Sequence, residues 1–340
     1  MGVLENVTKV CVFGGGAIGG YIAGHLARKG DCDVSLVARG ETLEAIRSDG
    51  IRVVTPDGSF AAPVRAVADT RELGAQDYVF LTLKAHQLDA ALGDIVRLVD
   101  GRTAVIPPTT GIPYYFFHGA DGDLRDRQMP LVDPGGRQWA ALPPAQAIGC
   151  VYWIGAHVER PGVVAQDGAK AGCPVGELDG SGSERVTRLA ALLTESGIPS
   201  KVNGDVRGAI WLKFVNSLCW NPVAMLTLAS VGAVATDAGH VLRAMMTEAD
   251  ALAAALGVTV RQPPEKRIAL TASAPAHKMS MLQDLEAGRA LELDVLDTSL
   301  RALREIADVR TPVLDAVLAL ARLRAAAAKD ESRGKAGGHA

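Results

Sequence analysis

Across residues 1–204, short apolar runs alternate with stretches of helical period, the pattern of an α/β domain built on a doubly wound parallel sheet. Candidate strands fall at 10–13, 34–38, 78–83 and 103–106, with later ones at 149–154 and 162–166 and a helix at 183–196 that stops at Gly197. The stretch 118–144 is rich in Gly, Pro and Asp and reads as an inserted loop. Beyond Asp205 the strand signal fades. Apolar positions then recur at helical spacing over 206–230, 238–256, 264–272, 277–287, 292–307 and 311–328, which predicts an all-α C-terminal domain over 205–328. Residues 329–340 are polar and glycine-containing and are expected to form a flexible tail.

Within the first strand and helix, Val10-Cys11-Val12-Phe13-Gly14-Gly15-Gly16-Ala17-Ile18-Gly19 joins an apolar strand to a glycine turn and a helix start. With a second strand following, this is the arrangement of a Rossmann-type dinucleotide-binding unit. Gly14 suits the tight turn, Gly16 lets the backbone approach a pyrophosphate, and Gly19 lets helix and strand pack closely. The N–H groups at Gly16, Ala17 and Ile18 face the phosphates at the helix N-terminus. The second strand ends in Arg39-Gly40 rather than in a carboxylate. A guanidinium there suits a 2′-phosphate, so NADP(H) is the expected cofactor.

Composition narrows the function classes. Of the 340 residues, 48% are hydrophobic and 21% charged, and the net charge is −3 with both signs interspersed. That excludes the basic stripe of a nucleic-acid binder and the polybasic segment of a membrane-surface protein. No run reaches the ~18–20 apolar residues of a membrane span. The five cysteines lack C-x-x-C spacing and the seven histidines do not cluster, so a reducing, cytoplasmic setting without a metal is expected. Small-molecule ligands are the expected partners, and the apolar helical domain offers a surface for a homodimer.

Reduction of a ketone by hydride transfer needs a proton donor beside the carbonyl oxygen. In Trp211-Leu212-Lys213-Phe214-Val215-Asn216-Ser217-Leu218-Cys219-Trp220-Asn221-Pro222 one lysine sits among apolar and aromatic residues. Such burial lowers a lysine pKa toward neutrality. Ser217 lies one turn along the same face, flanked by Asn216 and Asn221. A second candidate cluster runs from His277 through Ser280 and Asp284 to Glu292, with Gly288 as a helix stop. Taken alone, both stretches also suit packed helices with solvated charges.

Over essentially its whole length the chain resembles the ketopantoate reductase family. The resemblance is carried by the glycine turn, Arg39-Gly40, Leu83-Lys84-Ala85 with Gln87, Trp211-x-Lys213 through Asn221-Pro222, and Ser280 through Arg289 followed by Glu292-Leu293-Asp294. It implies an NADPH-dependent 2-oxo acid reductase whose substrate lies between a Rossmann-type and a helical domain. By the same resemblance Lys213 donates the proton, Asn221 and Ser280 hold the substrate, Glu292 contacts substrate or cofactor, Lys84 and Gln87 lie beside the cofactor, and Arg39 meets the 2′-phosphate. Three positions depart from the family pattern. Thr110 stands where an Asn usually reaches nicotinamide and substrate, Ser217 replaces another Asn with Asn216 one place earlier, and His277 replaces a third. The losses point to a 2-oxo acid other than ketopantoate or to weakened activity. A bulkier acid is one alternative, with 113–117 as an aromatic wall, and a non-catalytic NADP(H) sensor is another.

Overall fold

The computed structural model describes residues 7–108 and 110–337. The chain separates into two compact units, and the exchange between them is not a single cut. Pro113–Gln128 and Gly135–Arg207 belong to the N-terminal unit, whereas Thr110–Ile112 and Met129–Pro134 cluster with the C-terminal unit that resumes at Gly208.

The N-terminal unit opens with β1 (Lys9–Phe13), α1 (Ala17–Lys29), β2 (Asp33–Val37) and α2 (Gly40–Asp49). It continues through β3 (Ile51–Thr55), β4 (Gly58–Ala62), β5 (Arg65–Val67), β6 (Tyr78–Leu81), α3 (Leu88–Ile95) and β7 (Ala104–Ile106). After α4 (Arg137–Ala141) come β8 (Gly149–Cys150), β9 (Trp153–Arg160), β10 (Val163–Gly172), β11 (Val175–Gly176) and α5 (Glu184–Glu195). Five strands form a parallel sheet in the order β5-β2-β1-β6-β7. Strand β1 is central and fully buried from Val10 to Phe13, as a strand covered on both faces must be. The chain reverses its direction of travel across the sheet between β1 and β6, and ligands of such sheets bind at the carboxyl ends of the strands at that point.

The five-stranded parallel sheet is the one the sequence predicts, and the later strands lie outside it. The stretches 149–154 and 162–166 do not extend it. Gly149–Cys150 pairs with β11 alone, and β9 and β10 join the β3–β4 hairpin in a four-stranded sheet of order β4-β3-β10-β9. Helix α1 packs against β1 and β2 and against β3, β4, β9 and β10. This gives its apolar residues Tyr21, Ile22 and Leu26 a core on each side. His25 is buried with them, stacked edge-on to Phe60 with ring centroids 5.1 Å apart and donating from Nδ1 to the Ser196 carbonyl at 3.0 Å.

The C-terminal unit is helical: α6 (Val206–Thr227), α7 (Val231–Asp237), α8 (Gly239–Ala255), α9 (Pro264–Ala272), α10 (Ser280–Glu286), α11 (Leu293–Ala307) and α12 (Pro312–Gly337). Helix α8 contacts α7, α9, α11 and α12. From it Glu248 accepts the N–H groups of Val313 and Leu314 at 2.9 Å each. A carboxylate there satisfies two donors that α12 cannot bond internally. Helix α6 runs on past Pro222 and buries Trp211, Phe214, Val215, Leu218, Cys219 and Trp220. Helix α12 continues to Gly337, into the stretch expected as a tail. The alanines at 325–328 and the Lys, Glu and Arg that follow are good helix formers. Residues 338–340 of that stretch lie outside the described residues.

Candidate active site

The glycine turn follows β1 directly. Gly14 has φ +124°, a backbone state L side chains rarely adopt, and its N–H donates to the Val37 carbonyl at 3.0 Å. A Cβ at Gly19 would lie 1.9 Å from the Gly14 oxygen, so close packing of α1 on the turn excludes any side chain there. A Cβ at Gly16, by contrast, would meet nothing within 4 Å. Gly16 is the N-cap position of α1, ahead of Ala17 and Ile18, and open space at a helix N-terminus fits a dinucleotide pyrophosphate. Thr82, which sequence reasoning missed, braces the turn: its hydroxyl lies 3.2 Å from the Phe13 carbonyl and 3.0 Å from that of Gly14.

Arg39 caps α2 at the end of β2, and its side chain is 74% exposed. Its guanidinium is 3.5 Å from Asp94 on α3, a contact weak enough in water to yield to a phosphate. Gln87 turns back to accept the Lys84 N–H at 3.1 Å, while the Gln87 N–H donates to the Lys84 carbonyl at 2.8 Å. These two expected cofactor neighbours thus form one closed turn after β6. The glycines, the open helix end and the exposed guanidinium together fit NADP(H).

In the C-terminal unit, Lys213 is half-buried on α6 between the fully buried Trp211 and Phe214. Burial pushes its ammonium below the ordinary lysine range, and the negative charge of Glu292 pulls the other way. Glu292 stands at the N-cap position of α11, where the helix dipole favours a carboxylate. The Thr110 hydroxyl lies 3.5 Å from Glu292 Oε2, a long hydrogen bond between residues far apart in sequence. Lys213, Glu292 and Thr110 are therefore one constellation: an ammonium whose pKa burial lowers, a carboxylate near it, and a hydroxyl on the carboxylate.

The remaining expected substrate contacts divide. Asn216 Oδ1 accepts the Thr271 hydroxyl at 3.0 Å, which ties α6 to α9. Asn221, buried, donates from Nδ2 to the Ser217 carbonyl at 3.2 Å and accepts the Met281 N–H at 3.1 Å. Both carboxamides are thus engaged with the fold. Ser280, the first residue of α10, is exposed, and Ser217 is half-buried one turn beyond Lys213.

The aromatic wall expected at 113–117 is not available. Tyr114, Tyr115, Phe116 and Phe117 are each at most 2% exposed, and the Tyr114 hydroxyl is spent on the Leu142 carbonyl at 2.7 Å. Consecutive aromatics pack edge-to-face and fill the interior of the N-terminal unit. Among the described residues no group of three or more His, Cys, Asp or Glu could hold a metal ion, and no single helix is long and apolar enough to cross a membrane.

Known proteins match the chain over both units. The sequence model of ketopantoate reductase PanE/ApbA matches residues 10–180, and that of its C-terminal part matches residues 205–325. A 2-dehydropantoate 2-reductase of Mesorhizobium japonicum is 42% identical over 316 residues, covering 92% of this chain and 97% of its own. Among solved structures, a ketopantoate reductase candidate from Ralstonia solanacearum MolK2 superposes with a TM-score of 0.87 at 33% identity, covering 95% of this chain and 99% of its own. A D-mandelate dehydrogenase solved with NADH and anilino(oxo)acetate shares the fold, with a TM-score of 0.79 at 20% identity over 95% of this chain and all of its own. With one family model matching residues 10–180, another matching 205–325, and a 42% identical relative covered almost end to end, the chain is an oxidoreductase and belongs to the ketopantoate reductase PanE/ApbA family.

Proposed function

We propose that the chain reduces a 2-oxo acid with NADPH, that ketopantoate is the leading substrate, and that Lys213 donates the proton to the C2 carbonyl oxygen. The observation that carries this reading is Lys213 set half-buried on α6 between Trp211 and Phe214, with Glu292 close enough for its charge to favour the ammonium. When bound, NADPH supplies the hydride. Gly14, Gly16, Ala17, Ile18 and Gly19 hold its pyrophosphate, Arg39 its 2′-phosphate, and Lys84 and Gln87 flank it.

Protonated Lys213 first attracts the oxo acid, then stabilises the charge growing on its oxygen and delivers the proton there. Glu292 keeps the lysine from losing that proton too early, because its negative charge favours the ammonium. Ser280, exposed at the start of α10, offers a hydroxyl to the substrate, with Ser217 beside Lys213. Asn216 and Asn221 serve by fixing α6 against α9 and α10.

Thr110 and Ser217 each provide a hydroxyl where a carboxamide would provide a donor and an acceptor. The structure-bearing role of 113–117 removes the support for a bulkier acid drawn from those aromatics. The test is NADPH oxidation across branched, aromatic and hydroxylated 2-oxo acids, for the wild type and for Lys213→Ala and Thr110→Asn. The wild type should turn over at least one such acid, ketopantoate among the best, and Lys213→Ala should lose about a hundredfold in kcat. A wild type that binds NADPH and oxidises it with none of them would overturn the reading in favour of a sensor.

A further inference from the structure

Helix α11 presents two polar side chains to the turn at Thr110–Ile112. Glu292, at its N-cap position, faces the Thr110 hydroxyl at 3.5 Å. Ser299 lies two helical turns further on, on the same face, and is 1% exposed. Its hydroxyl donates to the Val295 carbonyl at 2.8 Å and accepts the Ile112 N–H at 3.0 Å. Because the proton is committed to Val295, a lone pair is left aimed at the turn.

Between these two contacts sits Gly111, with φ +79°. A Cβ on Gly111 would lie 2.7 Å from Ser299 Oγ and 2.7 Å from Val295 Cγ1. The backbone therefore lies directly on α11, closer than any other residue type allows. Ile112 is 2% exposed, so water offers its N–H no replacement for Ser299. The turn is held at both ends and pressed flat in the middle, and the residue so held is the one that meets Glu292.

We infer that Ser299 is a positioning residue for the reduction: by gripping the Ile112 N–H it fixes the Thr110 hydroxyl against Glu292. This rests on the reading of Thr110 and Glu292 as site residues given under the proposed function. Ser299 touches neither substrate nor cofactor and acts through Thr110. Replacement by Thr keeps a hydroxyl able to bond the carbonyl one turn back, whereas Ala removes it and Cys offers only a weak acceptor.

The experiment compares Ser299→Ala, Ser299→Thr, Thr110→Ala and the double variant Ser299→Ala/Thr110→Ala in kcat, KM, NADPH affinity and Ile112 amide exchange. Ser299→Ala is expected to lower kcat about tenfold or more with NADPH affinity within about twofold of wild type, and to speed exchange at Ile112. Ser299→Thr should keep most of the turnover. In the Thr110→Ala background the Ser299 change should cost less than about twofold, because the two act on one contact. Should Ser299→Ala not fold, Ser299→Cys carries the same comparison. Wild-type kcat in Ser299→Ala, an undiminished loss in the Thr110→Ala background, or an unprotected Ile112 amide in the wild type would each overturn the inference and leave the reductase reading standing. Absence of turnover in the wild type would overturn the reductase reading itself.

Discussion

The side-chain oxygen of Asn221 accepts the backbone N–H of Met281 at 3.1 Å, a bond between residues 60 positions apart. No side chain at the N-cap position of α10 satisfies the first turn of that helix, so α6 supplies the acceptor from outside. Since Asn221 also donates to the Ser217 carbonyl, its carboxamide has one N–H and one lone pair left. Its first duty is to place α10, and with it Ser280.

Asn221→Ala leaves the Met281 N–H buried without an acceptor, at a cost of about 1–3 kcal/mol. The melting temperature should fall by several degrees and KM for the oxo acid should rise, as α10 loses its tie. Calorimetry and steady-state kinetics on the same preparation check this. An unchanged melting curve would remove the tie from the argument.

Gly16 and Gly19 should separate binding from folding. Gly19→Ala puts a methyl 1.9 Å from the Gly14 oxygen and should yield little folded protein. Gly16→Ala meets nothing and should fold normally, yet bind NADPH at least about tenfold more weakly because the methyl occupies the space for the pyrophosphate. Expression yield, circular dichroism and NADPH fluorescence distinguish the two.

On the proposed reading, Arg39 sets cofactor choice. Bonds from a guanidinium to a 2′-phosphate are worth roughly 1.5–3 kcal/mol, so the wild type should favour NADPH over NADH by about ten- to a hundredfold. Arg39→Asp should erase or invert the ratio. Asp94→Asn, which releases the guanidinium from its present contact, should sharpen it slightly. Equal affinities in the wild type would dismiss the assignment.

The lysine predicts a pH profile with a definite sign. The proposed reduction needs protonated Lys213, and burial holds its pKa below the ordinary 10.5. Turnover should therefore decline as pH rises through a value lower than 10.5. Lys213→Arg, whose guanidinium stays charged, should be slow but lack that decline. A basic limb that survives in the Arg variant belongs to another group.

His25 predicts the pH dependence of stability. Burial lowers its pKa, the bond to the Ser196 carbonyl opposing, so the folded state favours the neutral ring. As pH drops below about 6.5 the unfolded chain takes up the proton first. The contribution of His25 is thus complete above that pH and is lost as acid approaches its folded value. Thermal melts should show this slope, and His25→Gln should flatten it.

What was legible in the chain was local. Val10–Phe13 and the glycines behind it declare strand, turn and helix within a few residues, because each constraint acts between neighbours. The helices after Asp205 are legible through their period, and Lys213 through its aromatic flanks. Sequence reasoning missed the β3–β4 hairpin, although Pro56-Asp57-Gly58 marks a turn, and no local pattern links it to its partner β10 much later in the chain. The same applies within the site. Asn216 and Asn221 read as site candidates in the chain, whereas their bonds to Thr271 and Met281 cannot be seen there. Ser299 reads as one more polar position on an amphipathic helix until Ile112 is laid against it.

The pairing of β10 with β3, Val163 beside Arg52, also orders events as the chain emerges from a ribosome. The β3–β4 hairpin and α1 exist early, but the edge of β3 that β10 will cover stays open until Val163–Ala165 are free. During that interval a nascent chain exposes an unpaired strand edge and the apolar side of α1, the kind of surface on which strands of other chains add. Chains truncated before β10 should aggregate for this reason, even though every residue of the glycine turn is already present.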